Sequence, residues 1–395
     1  MNLLKKLGTP LGLFALASLL MGMYTGLYDP SFNNYLAQVH HVGEIARGGL
    51  EFPRELPGFL VIFVFASLIF LPDTRIAMVS ALLVGLSLFG QAYLAPGMVS
   101  VVIWMIIWST GAHLFMAVSS VIGLRLADEG HAGRRLGQLT SMESLGTLAG
   151  MIIVYFGASQ FNFSFATIFT ISGSCAMLAA LSLFIIKPQP LINKERSIVL
   201  KREYSLYYLL SILFGARKQI FLTFAPWVLI KIYHCDVSTF AVLGLLGTLL
   251  SFLLRPLLGK AVDAIGERPV ITAESILLVV ICTLYGFAPD WFSTPVALFT
   301  TMACYITDQL LFSVRMARTT YLYRIVVNKG DIGPTISMGL TLDHAVSMTV
   351  PFWGGLLWAA FGFRWVFLAA ALIALVNLIA AKFIPDLKER PAVIS

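Results

Sequence analysis

The stretch RPLLGKAVDAIGERP, residues 255–269, joins two long apolar runs and carries Arg255, Pro256, Gly259, Asp263, Gly266 and Arg268. Each run is long enough to cross a bilayer core, which takes roughly 20 apolar residues. A charged turn set with glycines between two such runs reads as a seam between membrane helices. Glycine lets helices approach closely there, and the charges mark the helix ends that reach water.

Composition carries the same reading across the chain. Of 395 residues, 58% are hydrophobic and 12% charged, where a soluble domain carries about 25% charged residues. A single chain cannot bury that much apolar surface within itself, so most of it faces lipid. Breaking the sequence at polar clusters gives roughly twelve spans of suitable length: 10–36, 56–72, 75–94, 97–126, 137–158, 163–187, 205–232, 237–259, 269–288, 292–325, 335–361 and 364–385. The expected fold class is therefore an all-α polytopic membrane protein. A basic stretch at 188–204, with Lys187 at its edge and Lys194, Arg196, Lys201 and Arg202 within it, lies at the midpoint. It reads as a cytoplasmic linker between six-helix bundles at 1–187 and 205–395.

Basic residues also orient the chain. With the N-terminus inside, alternate loops place Lys5, Lys6, Arg75, Arg125, Arg134, Arg135, the linker cations, Lys260, Arg268, Arg324, Lys329, Lys382, Lys388 and Arg390 on the cytoplasmic side. The other side receives Arg47, Arg54, Lys231 and Arg364. This bias predicts that both termini are cytoplasmic. It also assigns the net charge of +7 to cytoplasmic loops and not to a nucleic-acid partner. The apolar run after Lys6 continues past Gly22 without a small-residue cleavage site, so it reads as an uncleaved first span. The four cysteines are scattered and show no metal-ligand spacing, which implies neither a disulfide frame nor a metal site.

A weak internal repeat supports two halves. TSMESLGTLAG, with Glu143, and GLTLDHAVSM, with Asp343 and His344, enter the fifth and eleventh spans in the same manner. The first and seventh spans share a glycine followed by polar residues and then a proline: Gly22, Tyr24, Thr25 and Pro30 in one, Gly215, Arg217, Lys218 and Pro226 in the other. Two six-span pseudo-repeats joined by a basic linker are the parallel repeat of one transporter class. On these features the chain resembles a major facilitator superfamily transporter over essentially its whole length. The 255–269 turn resembles that family's loop between the second and third helices of a half. The resemblance implies the major facilitator fold, a monomer in the inner or plasma membrane, and no cofactor. It further implies a gating motif of Arg255, Gly259, Asp263, Gly266 and Arg268, in which a charge relay including Glu274 latches the halves. The plainer reading is a tight turn with surface ion pairs worth about 0–1 kcal/mol each. The matching N-terminal loop keeps only Asp73 and Arg75, without the glycines, a departure that puts its gating role in doubt.

Ionisable residues within spans cost about 2.5–3.5 kcal/mol each at a helix centre on insertion scales, so they are functional candidates. The basic set is Arg217, Lys218, Arg315 and Arg318. Arg217 and Lys218 diverge by about 100° on a helix. One is expected to face a cavity and the other a neighbouring helix. Arg315 and Arg318 share a face, with Asp308 seven residues before Arg315. These cations read either as an anion-attracting cavity or as interhelical ion pairs with Asp308, Asp343 or Glu143. The acidic set, Asp29, Glu143, Asp308 and Asp343, could exchange protons. Asp343 stands next to His344, which also titrates near neutrality; the preferred reading is that Asp343 neutralises an arginine of the tenth span. Asp29, Pro30, Asn33 and Asn34 read as a proline-broken lining of a solute site or as an extracellular helix end. His113 reads as an interior histidine before a ligand. In VHHVGEIARGGLEFPRELPGF, residues 39–59, Glu51, Arg54 and Glu55 could form an outer gate, but a solvated loop is the expected form.

The function these features favour is secondary transport by alternating access. The solute is a small organic anion or zwitterion, and protons are a candidate coupling ion. A multidrug, metabolite or lipid exporter of the same fold is the alternative. A membrane enzyme would need a metal set or nucleophile motif, and a receptor a soluble appendage; the sequence contains neither. The absence of G-x-x-x-x-G-K-[ST] argues against ATP hydrolysis. The expected partners are a small-molecule solute and the lipid bilayer.

Overall fold

The computed structural model describes residues 8–60, 63, 68, 70–127, 131–188 and 200–386. Among these residues the chain is helical throughout, without strands. The helices are α1 (Pro10–Gln38), α2 (Glu44–Gly49), α3 (Glu51–Phe59), α4 (Asp73–Tyr93), α5 (Met98–Arg125), α6 (Ala132–Ser159) and α7 (Phe165–Ile185). They continue as α8 (Ser205–Lys231), α9 (Val237–Ile265), α10 (Glu267–Trp291), α11 (Thr294–Leu311), α12 (Arg315–Ile325), α13 (Ile332–Phe361) and α14 (Phe363–Ala381). All expected spans but the second are present as helices; the second, expected at 56–72, lies partly outside the described residues. Among the described residues, nine helical segments are long and apolar enough to cross a membrane. α8 and α13 are as long as these and carry polar side chains, Arg217 with Lys218 and Asp343 with His344.

The chain divides into two compact units. Unit 1 comprises residues 1–42, 56–194 and 236–245; unit 2 comprises 43–55, 195–235 and 246–395. In unit 1, α1 packs on α6 and α7, and α4 packs on α5 and α7. The α1–α6 seam is made by glycines spaced four apart on both helices. A side chain at Gly22 or Gly26 would collide with the backbone carbonyl of Glu143 or Thr147, and one at Gly146 or Gly150 with that of Leu19 or Met23. Such a seam lets two backbones touch where lipid offers no hydrophobic drive for association. Pro30 does not break α1, which runs on for two more turns to Gln38. Asp29 and Asn33 therefore lie neither at a helix break nor at a helix end.

In unit 2, α8 packs on α13 and α14, α10 on α11 and α14, and α2 on α13. The tenth span, expected as one helix over 292–325, is interrupted by a 3-10 turn at Phe312–Val314, so α12 starts afresh at Arg315. The opening stretch is resolved as the end of α9 and the start of α10. Gly266 supplies the turn, its φ of +87° lying in a region that favours glycine. No described atom lies within 4 Å of the place where a Gly259 side chain would begin, so the close approach expected there is absent among the described residues. The segment expected as a solvated loop is also different. Residues 44–59 form α2 and α3, and Arg47 and Glu51 are fully buried.

Candidate functional site

Most of the buried charge described within a single unit lies in unit 2, and α8 organises it. Tyr207, Ser211, Phe214 and Lys218 recur at helical spacing along one stripe of α8. Lys218 Nζ reaches Asp343 Oδ1 on α13 at 2.7 Å, and Ser347 Oγ donates to the same oxygen at 3.2 Å. Gly215 makes room for this carboxylate, since any side chain there would overlap Asp343. Arg217, one residue before Lys218, turns to the neighbouring helix and ion-pairs with Asp308 on α11. Its guanidinium also lies 5.8 Å from the Phe221 ring and 5.7 Å from the Phe312 ring, within cation–π range. Asp343 is thus neutralised from the seventh span, and the pairing expected with an arginine of the tenth is not formed.

Two more ion pairs tie α12 to α10. Arg318 grips Glu274 with two hydrogen bonds, at 2.9 and 3.3 Å, and Arg324 Nε meets Glu267 Oε1 at 2.7 Å. Both glutamates are fully buried, so their cations are needed to hold the charge. In the opening stretch the buried acid is therefore Glu267. Asp263 and Arg255 are exposed, and Arg268 makes a half-exposed pair with Asp386 at 2.9 Å.

Arg315 differs from the other cations of this set. It is exposed, and among the described residues it makes no ion pair. Its guanidinium stands 6.0 Å from the Phe214 ring, which Lys218 and Arg318 also approach, at 5.8 and 4.7 Å. A small pocket on this side is lined by Tyr207, Ser211, Phe214, Arg315, Thr319 and Asp343, among others. Asp343 Oδ2 has no hydrogen-bond donor among the described residues, because Lys218 and Ser347 both go to Oδ1. The pocket lining thus includes both a guanidinium and a carboxylate. His344, next to Asp343, turns elsewhere and its Nδ1 meets Glu55 Oε2 at 2.9 Å.

The structure places the remaining candidates in unit 1. Asp29 and Glu143 are exposed on α1 and α6, and Asn33 is half-buried. His113 Nδ1 lies 2.9 Å from the carbonyl of Ser109 in its own helix and 3.1 Å from the Ser109 hydroxyl. Asp73 pairs with Arg125 at 2.8 Å, and Arg75 donates to the carbonyl of Phe184 at 2.8 Å. Sequence reasoning did not single out Tyr207, Ser211, Phe214 or Gln219. The α8 stripe could have found the first three, because it ends on a charged residue.

The family model described as Major Facilitator Superfamily matches residues 56–326, more than half of the chain. The chain belongs to this superfamily. It is a multi-pass membrane protein with the fold of membrane transporters. Among solved structures it is similar to the nucleoside transporter NupG, with a TM-score of 0.76 and 12% identity, covering 95% of this chain and 98% of that one. It is also similar to a D-xylose-proton symporter (TM-score 0.71, 18% identity, 96% and 98% covered). A third is a bacterial homologue of the iron transporter ferroportin (TM-score 0.72, 14% identity, 97% and 100% covered). At these identities the likeness carries the fold alone. No curated protein matches the sequence.

Proposed function

We propose that this superfamily member is a secondary transporter that moves a small zwitterionic solute by alternating access. The observation that carries the reading is the pocket that Arg315 and Asp343 both line. A guanidinium without a carboxylate partner among the described residues offers a planar donor pair to a solute carboxylate or phosphate. Asp343 Oδ2 offers an acceptor to an ammonium or hydroxyl of the same solute. The other cations are satisfied within the protein: Arg217 by Asp308, Lys218 by Asp343 and Arg318 by Glu274. This separation favours a dipolar solute over a simple anion, because a cavity built for anions would leave more of its cations uncompensated. Protons are the proposed coupling ion. Asp343 is the candidate carrier, since protonating it would release Lys218 and alter the acceptor that the solute meets. The proposed setting is the cell membrane with both termini cytoplasmic, supported by the loop bias in Lys and Arg.

The test is a thermal-stability screen on detergent-purified protein with amino-carboxylates, dicarboxylates and sugars, run at an acidic and an alkaline pH. A true ligand at one hundred times its Kd adds about 2.7 kcal/mol. Stabilisation by amino-carboxylates, lost in Arg315→Gln, is the expected result. Stabilisation by sugars alone would overturn the zwitterion reading.

A further inference from the structure

Residues 43–55 follow α1 in the chain and precede Leu56, both of unit 1, yet they belong to unit 2. They hold α2 and the start of α3, and they dock on α8 and α13. The docking is close at the backbone: a side chain at Gly48 would collide with the carbonyl of Pro351, and one at Gly355 would press on Glu44 and Ile45. At the centre sits Glu51, fully buried. It takes Arg47 Nη1 at 2.5 Å, Arg54 Nη1 at 3.1 Å to each oxygen, and Gln219 Nε2 of α8 at 2.6 Å. Four residues on, Glu55 meets His344 of α13.

This arrangement is built for reversible docking. Burying a lone carboxylate would be costly, and stripping away its partner would cost more. Glu51 avoids both because its two counter-cations, Arg47 and Arg54, lie in the same segment and travel with it. Among the described contacts, undocking removes from the two glutamates the hydrogen bonds to Gln219 and His344 and the attraction between Glu55 and Lys218. Gln219 and His344 are the chain neighbours of Lys218 and Asp343, the pair at the proposed solute site. The same short stretches of α8 and α13 thus hold the solute-site pair and the segment.

We propose that residues 43–55 are a strap that docks on α8 and α13 in one stage of the cycle and leaves them in another, with Glu51 as its pin. A shift of Lys218 or Asp343 when the solute site fills moves Gln219 or His344 with it and loosens the strap. The link to the solute site rests on the proposed function, whereas the docking of the strap does not, and the test of docking needs no solute. Leu50 lies buried in the strap, while Ile45 is 44% exposed. In the full-length protein, Leu50→Cys and Ile45→Cys are reacted with a polar maleimide, and labelling is read by mass spectrometry. Cys282, fully buried in unit 2, serves as the internal reference. The expected result is slow but complete labelling of Leu50→Cys, with Ile45→Cys labelled at once. Adding Glu51→Gln should speed Leu50→Cys labelling about tenfold or more, and the milder Gln219→Leu by less, with Cys282 unreacted in both. The proposal is overturned if neither variant changes the rate, or if Leu50→Cys and Cys282 label together, which would make the opening a general unfolding of unit 2.

Discussion

Arg217 and Arg315 show what charge alone could and could not say. Both are arginines in apolar spans, and their sequence surroundings allow each to be an ion pair or a solute contact. The outcome depends on which helix lies opposite, which no single-chain pattern contains. Arg217 finds Asp308; Arg315 lies just after the 3-10 turn and finds no described carboxylate. The divergence of Arg217 from Lys218, by contrast, was legible from helix geometry. A prediction belongs to this scale. Arg217→Leu strands Asp308 as a buried charge and should cost about 3–5 kcal/mol. The double variant Arg217→Leu with Asp308→Leu should recover much of it. Thermal melts of the two variants and of Asp308→Leu check this through the coupling in the cycle. Additive losses would mean that the pair is not a unit.

At the scale of elements, the spans and their approximate ends were readable because lipid demands long apolar runs. The strap was not. Its charged composition is that of a solvated loop, and burial became affordable only because Arg47, Glu51 and Arg54 sit at helical spacings of three and four. The 3-10 turn in the tenth span likewise leaves no glycine or proline mark, since FSV carries neither. The α1–α6 seam gives a clean test in one helix. Gly146→Leu, which must displace the Leu19 backbone, should destabilise unit 1 by about 1–3 kcal/mol or more. Gly137→Leu on the same helix meets nothing within 4 Å and should leave the melt unchanged. Equal effects from the two would contradict the seam.

At the scale of the molecule, the described end of the basic stretch is anchored within unit 2. Lys201 Nζ and Tyr204 OH both donate to Asp331 Oδ2, at 2.6 and 2.9 Å. The Lys201 hydrogen bond, then that of Tyr204, holds the Asp331 pKa below its ordinary value, and the same carboxylate raises that of Lys201. The aspartate contribution is present above the unfolded value of about 3.9 and lost as pH falls through the lowered folded value. The lysine contribution is present below about 10.4 and lost as pH rises through the raised one. Amide exchange of the 200–204 segment should therefore stay slow, after correction for intrinsic rates, between those limits. It should speed up at neutral pH in Asp331→Asn. A wild-type segment whose protection falls near neutral pH would contradict this anchor.

In the proposed function Arg315 receives the charged end of a zwitterionic solute. Uptake of a set of radiolabelled amino-carboxylates into proteoliposomes tests it most directly. Wild-type protein should accumulate at least one of them above empty vesicles. Arg315→Gln should lose that uptake, and Arg134→Gln, an exposed arginine of unit 1, should keep it. Uptake by Arg315→Gln at the wild-type rate would contradict the account.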